Sequence, residues 1–183
     1  DLVSHVVIEF PKLQGTMGRI YAQAAKEPEA VAMAIEEHYR PAYSGGPLPT
    51  TITGAVLSIA DKIDTICGCY YVGLVPTGAS DPYALRRQAI GIIQIALNRE
   101  LEFSLFGMIR AGMEMCGLSG RDLDAKAEAV FAFMQSRMAY LLEDSGIPRD
   151  LAAAAISASA DNICDVWRRA AAMQLIKSAT HFD

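Results

Sequence analysis

The sequence predicts an all-α protein, and three observations carry that expectation. Alanine is abundant and β-branched alternation is scarce, so helix is the default backbone state. Apolar residues fall in stripes at helical spacing along most of the 183 residues. The breaks between those stripes are residues that end or begin helices: Pro11, Pro28, Gly45-Gly46-Pro47, Gly117, Ser119 and Gly146-Ile147-Pro148. No strand pair, tandem repeat or low-complexity segment is present.

The elements follow in order. Residues 2–9 form a short helix that stops before Pro11, because the residue preceding proline is pushed out of the α region. Pro11 opens a second helix to about Lys26, with Leu13, Met17, Ile20, Tyr21 and Ala24 on one stripe. Gly15 and Gly18 weaken it locally and suit close approach to another helix. Glu27-Pro28-Glu29 starts a third helix through about Tyr39, with its acids in the favourable first turn. A loop from Pro41 to Pro49, containing Ser44-Gly45-Gly46-Pro47, leads into a central helix from about Thr50 to Tyr70. That helix is apolar almost all round, so Val56, Leu57, Ile59, Ile63 and Ile66 are expected to be buried.

Gly73 to Ser80 is a second loop, with Pro76 and Gly78. Asp81 as cap and Pro82 at the first helical position then open a helix to about Asn98. Phe103 to Cys116 is the next, closed by Gly117. Ser119 caps a long helix to about Glu143, with Asp122 at its third position and Val130, Phe133, Met134, Met138 and Leu141 as its stripe. An alanine-rich helix over 149–159 and a last one from Asp161 to about Thr180 complete the chain. Composition shifts near Leu101–Ser104, which divides the chain into 1–102 and 103–183.

A hydrophobic share of 52% excludes disorder. The net charge of −5 argues against strong non-specific binding to nucleic acid and leaves room for a local basic patch. Cys67, Cys69, Cys116 and Cys164 form no C-x-x-C pair; they read as reduced, mostly buried thiols of a cytoplasmic protein. No stretch reads as a signal peptide or is apolar for long enough to cross a membrane. Beginning Asp1-Leu2-Val3 and already amphipathic there, the chain is expected to be a piece of a longer polypeptide.

The chemistry-bearing residues gather around the central helix. Asp61 and Asp64 are three apart and share a face. They answer Lys62, Arg86 or Arg87 as structural ion pairs, or they are metal ligands. Arg86 and Arg87, just past the first turn of their helix, suit an RNA phosphate; the alternative is that one pairs with Asp61 or Asp64 while the other is solvated. Trp167-Arg168-Arg169 with Lys177 is a basic, aromatic-containing stripe that is either an RNA contact or a solvated helix face. Of His5, His38 and His181, only His38 has a suggestive context: a metal or phosphate site with Asp61, or a helix-end histidine near a C-terminal dipole. Metal sites need three or four ligands, and H-E-x-x-H, Walker, G-x-G-x-x-G and nucleophile motifs are all absent.

Two families are called up by these residues. Ala34 to His38, Ser44 to Pro49 and Ala60 to Thr65 resemble one branch of the HD-type metal-dependent phosphohydrolases, all-α proteins in which the position of Asp61 is a metal ligand. The His-Asp doublet that names that family is missing, so the resemblance implies a dismantled metal centre with His38 and Asp61 as its vestiges. More specifically, Glu9-Phe10-Pro11-Lys12-Leu13-Gln14-Gly15-Thr16-Met17-Gly18, Ala60-Asp61-Lys62-Ile63-Asp64-Thr65 and Asp81-Pro82-Tyr83-Ala84-Leu85-Arg86-Arg87 resemble the β-subunit family of the bacterial heterotetrameric glycyl-tRNA synthetases. The likeness covers residues 1 to about 105 well and the remaining helices weakly.

That resemblance implies an HD-like helical core followed by a helical extension, with no catalytic residues of its own. It implies a role in binding and orienting the tRNA for glycine, for which the residues' own chemistry offers Arg86, Arg87, Arg168 and Arg169 as the candidate contacts. ATP and Mg²⁺ would be used by the catalytic α subunit of an enzyme of two α and two β chains. The rival readings are an active HD-type phosphohydrolase and a helical scaffold that touches only protein.

Overall fold

The computed structural model describes residues 1–43 and 45–179. Ser44, Thr180 and His181, named above, lie outside the described residues. The described chain holds nine α-helices and no strand. Two compact units divide inside the central helix: Asp1–Lys62, and Ile63 onward. The junction expected at Leu101–Ser104 falls within the second unit.

In the first unit, α1 is His5–Glu9, capped by Ser4, whose hydroxyl accepts from the Val7 N–H. The helix expected from Pro11 is two elements. A 3₁₀ turn, Pro11–Leu13, is followed by Gly15 at φ +82°, and α2 is Thr16–Ala24. The Asp1 carboxylate accepts from the Gly15 and Gly18 N–H groups, both at 2.7 Å, at the start of α2. The stripe expected to face inward is also displaced: Leu13, Ile20 and Tyr21 are exposed, whereas Gly18 and Ala22 are buried. α3, Glu29–Glu37, explains this. A Cβ added at Gly18 would meet Ile35 Cγ2 at 2.6 Å, so the small residues, not the large ones, bring the two helices together.

α4, Ile52–Tyr71, contributes its first half to this unit. Ala55 and Ile59 are buried in its face, but Val56 at 53% and Leu57 at 41% are exposed, contrary to the expectation for both. The polar residues Ser58 and Lys62 occupy the inward face in their place.

In the second unit the last turns of α4 bury Ile63, Ile66 and Cys67. α5 is Leu85–Arg99, not a helix from Pro82: Ala84 takes a left-handed conformation, φ 54°, and the helix starts after it. α6, Leu105–Met115, is capped by Ser104, and α7 is Gly120–Asp144. Ser119 makes no side-chain cap bond, contrary to expectation. Val130, Met134 and Met138 are fully buried on α7 as expected, with Leu142 rather than Leu141 completing the stripe. α8 is Arg149–Ala158, and α9 is Ile163–Ser178, capped by Asn162. Asp161, expected to begin α9, instead caps α6, accepting from Ser104 Oγ at 3.0 Å and the Phe106 N–H at 2.8 Å.

Candidate functional site

The first unit concentrates its charge at the corner between α3 and α4. Glu37, the last residue of α3, is fully buried. Its carboxylate accepts from the backbone N–H groups of Thr50 and Thr51, at 2.8 and 3.0 Å, and from both threonine hydroxyls. Those threonines lead directly into α4, which Thr51 caps by accepting from the Gly54 N–H at 3.0 Å, so Glu37, paired also with Arg40 at 3.4 Å, fixes the start of α4 from another helix. Burial pushes the carboxyl pKa up, but the hydrogen bonds outweigh it and hold it at about 2. Gly54 makes room for the group: a Cβ there would lie 2.7 Å from Glu37 Cβ.

Lys62 caps the other end. Its ammonium donates to the carbonyls of His38 and Arg40, both at 3.1 Å, and to Ser58 Oγ at 2.7 Å. Those carbonyls lie at and just past the C-terminus of α3, where a cation is favoured. Burial lowers its pKa to about 8, and Asp61 opposes that shift. Around the corner, Glu36 pairs with Arg19 of α2 and with Arg40 at 2.6 Å.

The residues expected to form ion pairs or a metal site are therefore placed otherwise. Lys62 is held by carbonyls and a hydroxyl, and Asp61 and Asp64 are exposed and enter no salt bridge among the described residues. His38 is the C-cap residue of α3; its Nδ1 lies 2.8 Å from the Ile35 carbonyl, and its ring packs at a tilt against Tyr39. Among the described residues no three His, Cys, Asp or Glu side chains converge as a metal-ligand set.

In the second unit, Asp81 caps α5 as expected, but from further away: its carboxylate accepts from the Leu85 and Arg86 N–H groups at 2.8 and 3.0 Å. Arg86 and Arg87 thus stand within the first turn of α5, not past it. Neither enters a salt bridge among the described residues, and Arg87 is exposed. The C-terminal basic pair differs. Arg168 binds Glu102 and Asp165, each at 2.6 Å, and Arg169 donates to the Ala155 and Ser159 carbonyls at the end of α8. Lys177 pairs with Asp150 at 2.7 Å.

Tyr70, on whose hydroxyl Arg86 and Arg137 both act, gathers residues the sequence did not mark as site residues. Lys126 donates to the Tyr70 carbonyl at 2.8 Å, capping the end of α4. Phe133 packs at a tilt against Tyr70, 5.7 Å between ring centroids, and the Arg137 guanidinium lies 5.9 Å from the Phe133 ring centre. Their separations of seven and four residues put all three on one face of α7, a pattern readable in the sequence. Glu37 had no such signal, because its threonine partners lie across a loop.

What fold and site define is an all-α helical module whose buried charges fix helix ends. Comparison with known proteins gives its kin. The family described as "Glycyl-tRNA synthetase beta subunit" matches residues 1–157, and the chain belongs to that family. It is 49% identical over 183 residues to the "Glycine--tRNA ligase beta subunit" of Desulforapulum autotrophicum and 47% identical over 186 to that of Geobacter sulfurreducens, covering all of this chain in both cases. Against the Moorella thermoacetica relative it is 42% identical over 173 residues, 92% of this chain. The chain spans only 25–27% of the length of these relatives.

Proposed function

We propose that this chain is the part of a glycyl-tRNA synthetase β subunit that binds and orients the tRNA for glycine during ATP-dependent aminoacylation, and that it carries no catalytic residue itself. Its core is read as HD-like, with His38 and Asp61 the vestiges of a lost metal centre. ATP and Mg²⁺ belong to the catalytic α subunit, two copies of which join two β chains in the cytoplasm.

The observation that carries the RNA role is the pair Arg86 and Arg87. Arg19, Arg40, Arg110 and Arg168 are each matched to a carboxylate, whereas Arg86 and Arg87 are in no salt bridge among the described residues. A helix N-terminus offers a cation nothing, so two guanidiniums there call for an external anion. Phosphate is the anion that the family's reaction supplies.

The test uses the assembled α and β enzyme. Arg86→Gln and Arg87→Gln are expected to weaken tRNA binding and flatten its salt dependence, leaving glycine activation without tRNA unchanged. Binding like the parent at several salt concentrations would reject the contact. A scaffold that touches only protein is the second reading, supported by exposed Ile52, Val56 and Leu57 on α4. Cross-linking of that face to another part of the enzyme, with tRNA binding intact in both arginine variants, is the result that would favour it.

A further inference from the structure

The second unit carries a basic and aromatic face that the arginine pair does not exhaust. On α7, Lys126, Phe133, Arg137 and Tyr140 recur at separations of seven, four and three residues, so they share one face. Tyr140 is 53% exposed, an aromatic ring in water beside a guanidinium. Tyr70 packs on Phe133, and both Arg137 and Arg86 act electrostatically on the Tyr70 hydroxyl, which burial otherwise pushes up in pKa. Lys126 fixes the base of the face through the Tyr70 carbonyl. Arg137 donates to the neighbouring Ser136 hydroxyl, at 3.2 Å, and lies over the Phe133 ring; like Arg86 it enters no salt bridge among the described residues. Asp81, which acts on the Tyr70 hydroxyl, is engaged by two backbone N–H groups, and Glu143 and Asp144 follow Tyr140 by three and four residues at the end of α7.

Unpaired guanidiniums interleaved with aromatic rings are the chemistry of RNA recognition: the forks hold phosphate and the rings stack bases. Tyrosine and arginine also serve protein interfaces, and RNA is the favoured occupant because the tRNA-binding reading brings one to this unit. We propose that the α7 face bearing Arg137 and Tyr140, with Arg86 alongside, is an RNA-docking surface that binds a phosphate through its guanidiniums and stacks an unpaired base on Tyr140. This rests on the tRNA-binding reading above and extends it from the start of α5 onto α7.

The experiment measures binding of uncharged tRNA for glycine to the complete enzyme, at several salt concentrations, for Arg137→Gln, Arg137→Lys and Tyr140→Ala. Arg137→Gln is expected to bind several-fold more weakly with a log–log salt slope shallower by about one; Arg137→Lys should keep the parent slope. Tyr140→Ala should bind several-fold more weakly with the slope unchanged, because stacking releases no counterion. Parent-like binding by Arg137→Gln and Tyr140→Ala would overturn the proposal. So would equal weakening by Gln and Lys at constant slope, which would make Arg137 a packing residue on Phe133. If Arg86→Gln and Arg87→Gln weaken binding while the α7 variants do not, the arginine-pair reading survives and this surface falls. If only the α7 variants weaken it, the surface stands without Arg86. If none does, both fail.

Discussion

Glu37 and Lys62 fasten the same corner from opposite sides. Glu37, at the end of α3, accepts from the N–H groups that lead into α4, and Lys62, three turns into α4, donates to the carbonyls that close α3. Each helix thus holds the end of its neighbour, Glu37 by fixing Thr50 and Thr51, of which Thr51 itself caps α4 through the Gly54 N–H at 3.0 Å. The two charges do not pair with each other: Glu37 is compensated by backbone N–H groups, threonine hydroxyls and the Arg40 guanidinium at 3.4 Å, and Lys62 by carbonyls and a hydroxyl, which makes their burial tolerable.

The first prediction is an acid dependence that belongs to Glu37. Its folded pKa of about 2 lies below the ordinary 4.5. A lowered acid stabilises the fold above the unfolded pKa and loses that contribution as pH falls toward the folded one. The contribution, about 3 kcal/mol at neutral pH from the size of the shift, should therefore fade between pH 4.5 and about 2. Urea midpoints of the parent and Glu37→Gln, followed from neutral pH down through that window, should differ most near neutrality and converge in acid. A constant gap between the two would reject the assignment.

Gly54→Ala should destabilise, against the usual trend. Alanine in a helix interior ordinarily gains about 1 kcal/mol over glycine. Here the new Cβ would sit 2.7 Å from Glu37 Cβ and 2.9 Å from Thr51 Oγ1, and Glu37 is fully buried. Displacing the carboxylate from its cap should cost about 1–3 kcal/mol, read as a lower melting temperature. A neutral or raised melting temperature would show that the corner relaxes freely.

Arg168→Ala and Arg169→Ala should part ways. Arg168 is 60% exposed and its partners are exposed, so its loss should leave the melting temperature unchanged. Arg169 closes the end of α8 through the Ala155 and Ser159 carbonyls, and its loss should cost about 1 kcal/mol. Neither should change the salt slope of tRNA binding. A flattened slope for either would restore the C-terminal stripe as an RNA contact.

For metals, His38 and Asp61 are expected to hold no stoichiometric divalent ion, because one imidazole and one carboxylate fall short of the donors such a site assembles. Elemental analysis of the purified protein after dialysis checks this. Stoichiometric Zn, Mn or Fe, or a phosphodiesterase activity abolished by EDTA, would overturn it.

The sequence by itself determined the helical class, the order of the elements and the family. Helical periodicity, proline and glycine breaks, and the Asp81 cap are local signals that survive whatever the helices pack against. It also marked Gly15 and Gly18 as points of close approach, which Glu36, Tyr39 and Ile35 make real. Only the tertiary structure decided which faces turn inward. Val56 and Leu57 read as core but are exposed, because Ser58 and Lys62 take the inward face to serve the carbonyls of α3. Likewise α2 turns Gly18 and Ala22 inward and leaves Ile20 and Tyr21 outside. The physical reason is common to both. Apolarity says that a side chain gains from burial, but the unsatisfied N–H and carbonyl groups of helix ends must be met at particular points in space, and the partners that meet them come from distant parts of the chain. Spacing along one helix reveals Arg137 beside Phe133; only the fold sets Tyr70 against them, or brings the Glu37 carboxylate to Thr50 and Thr51.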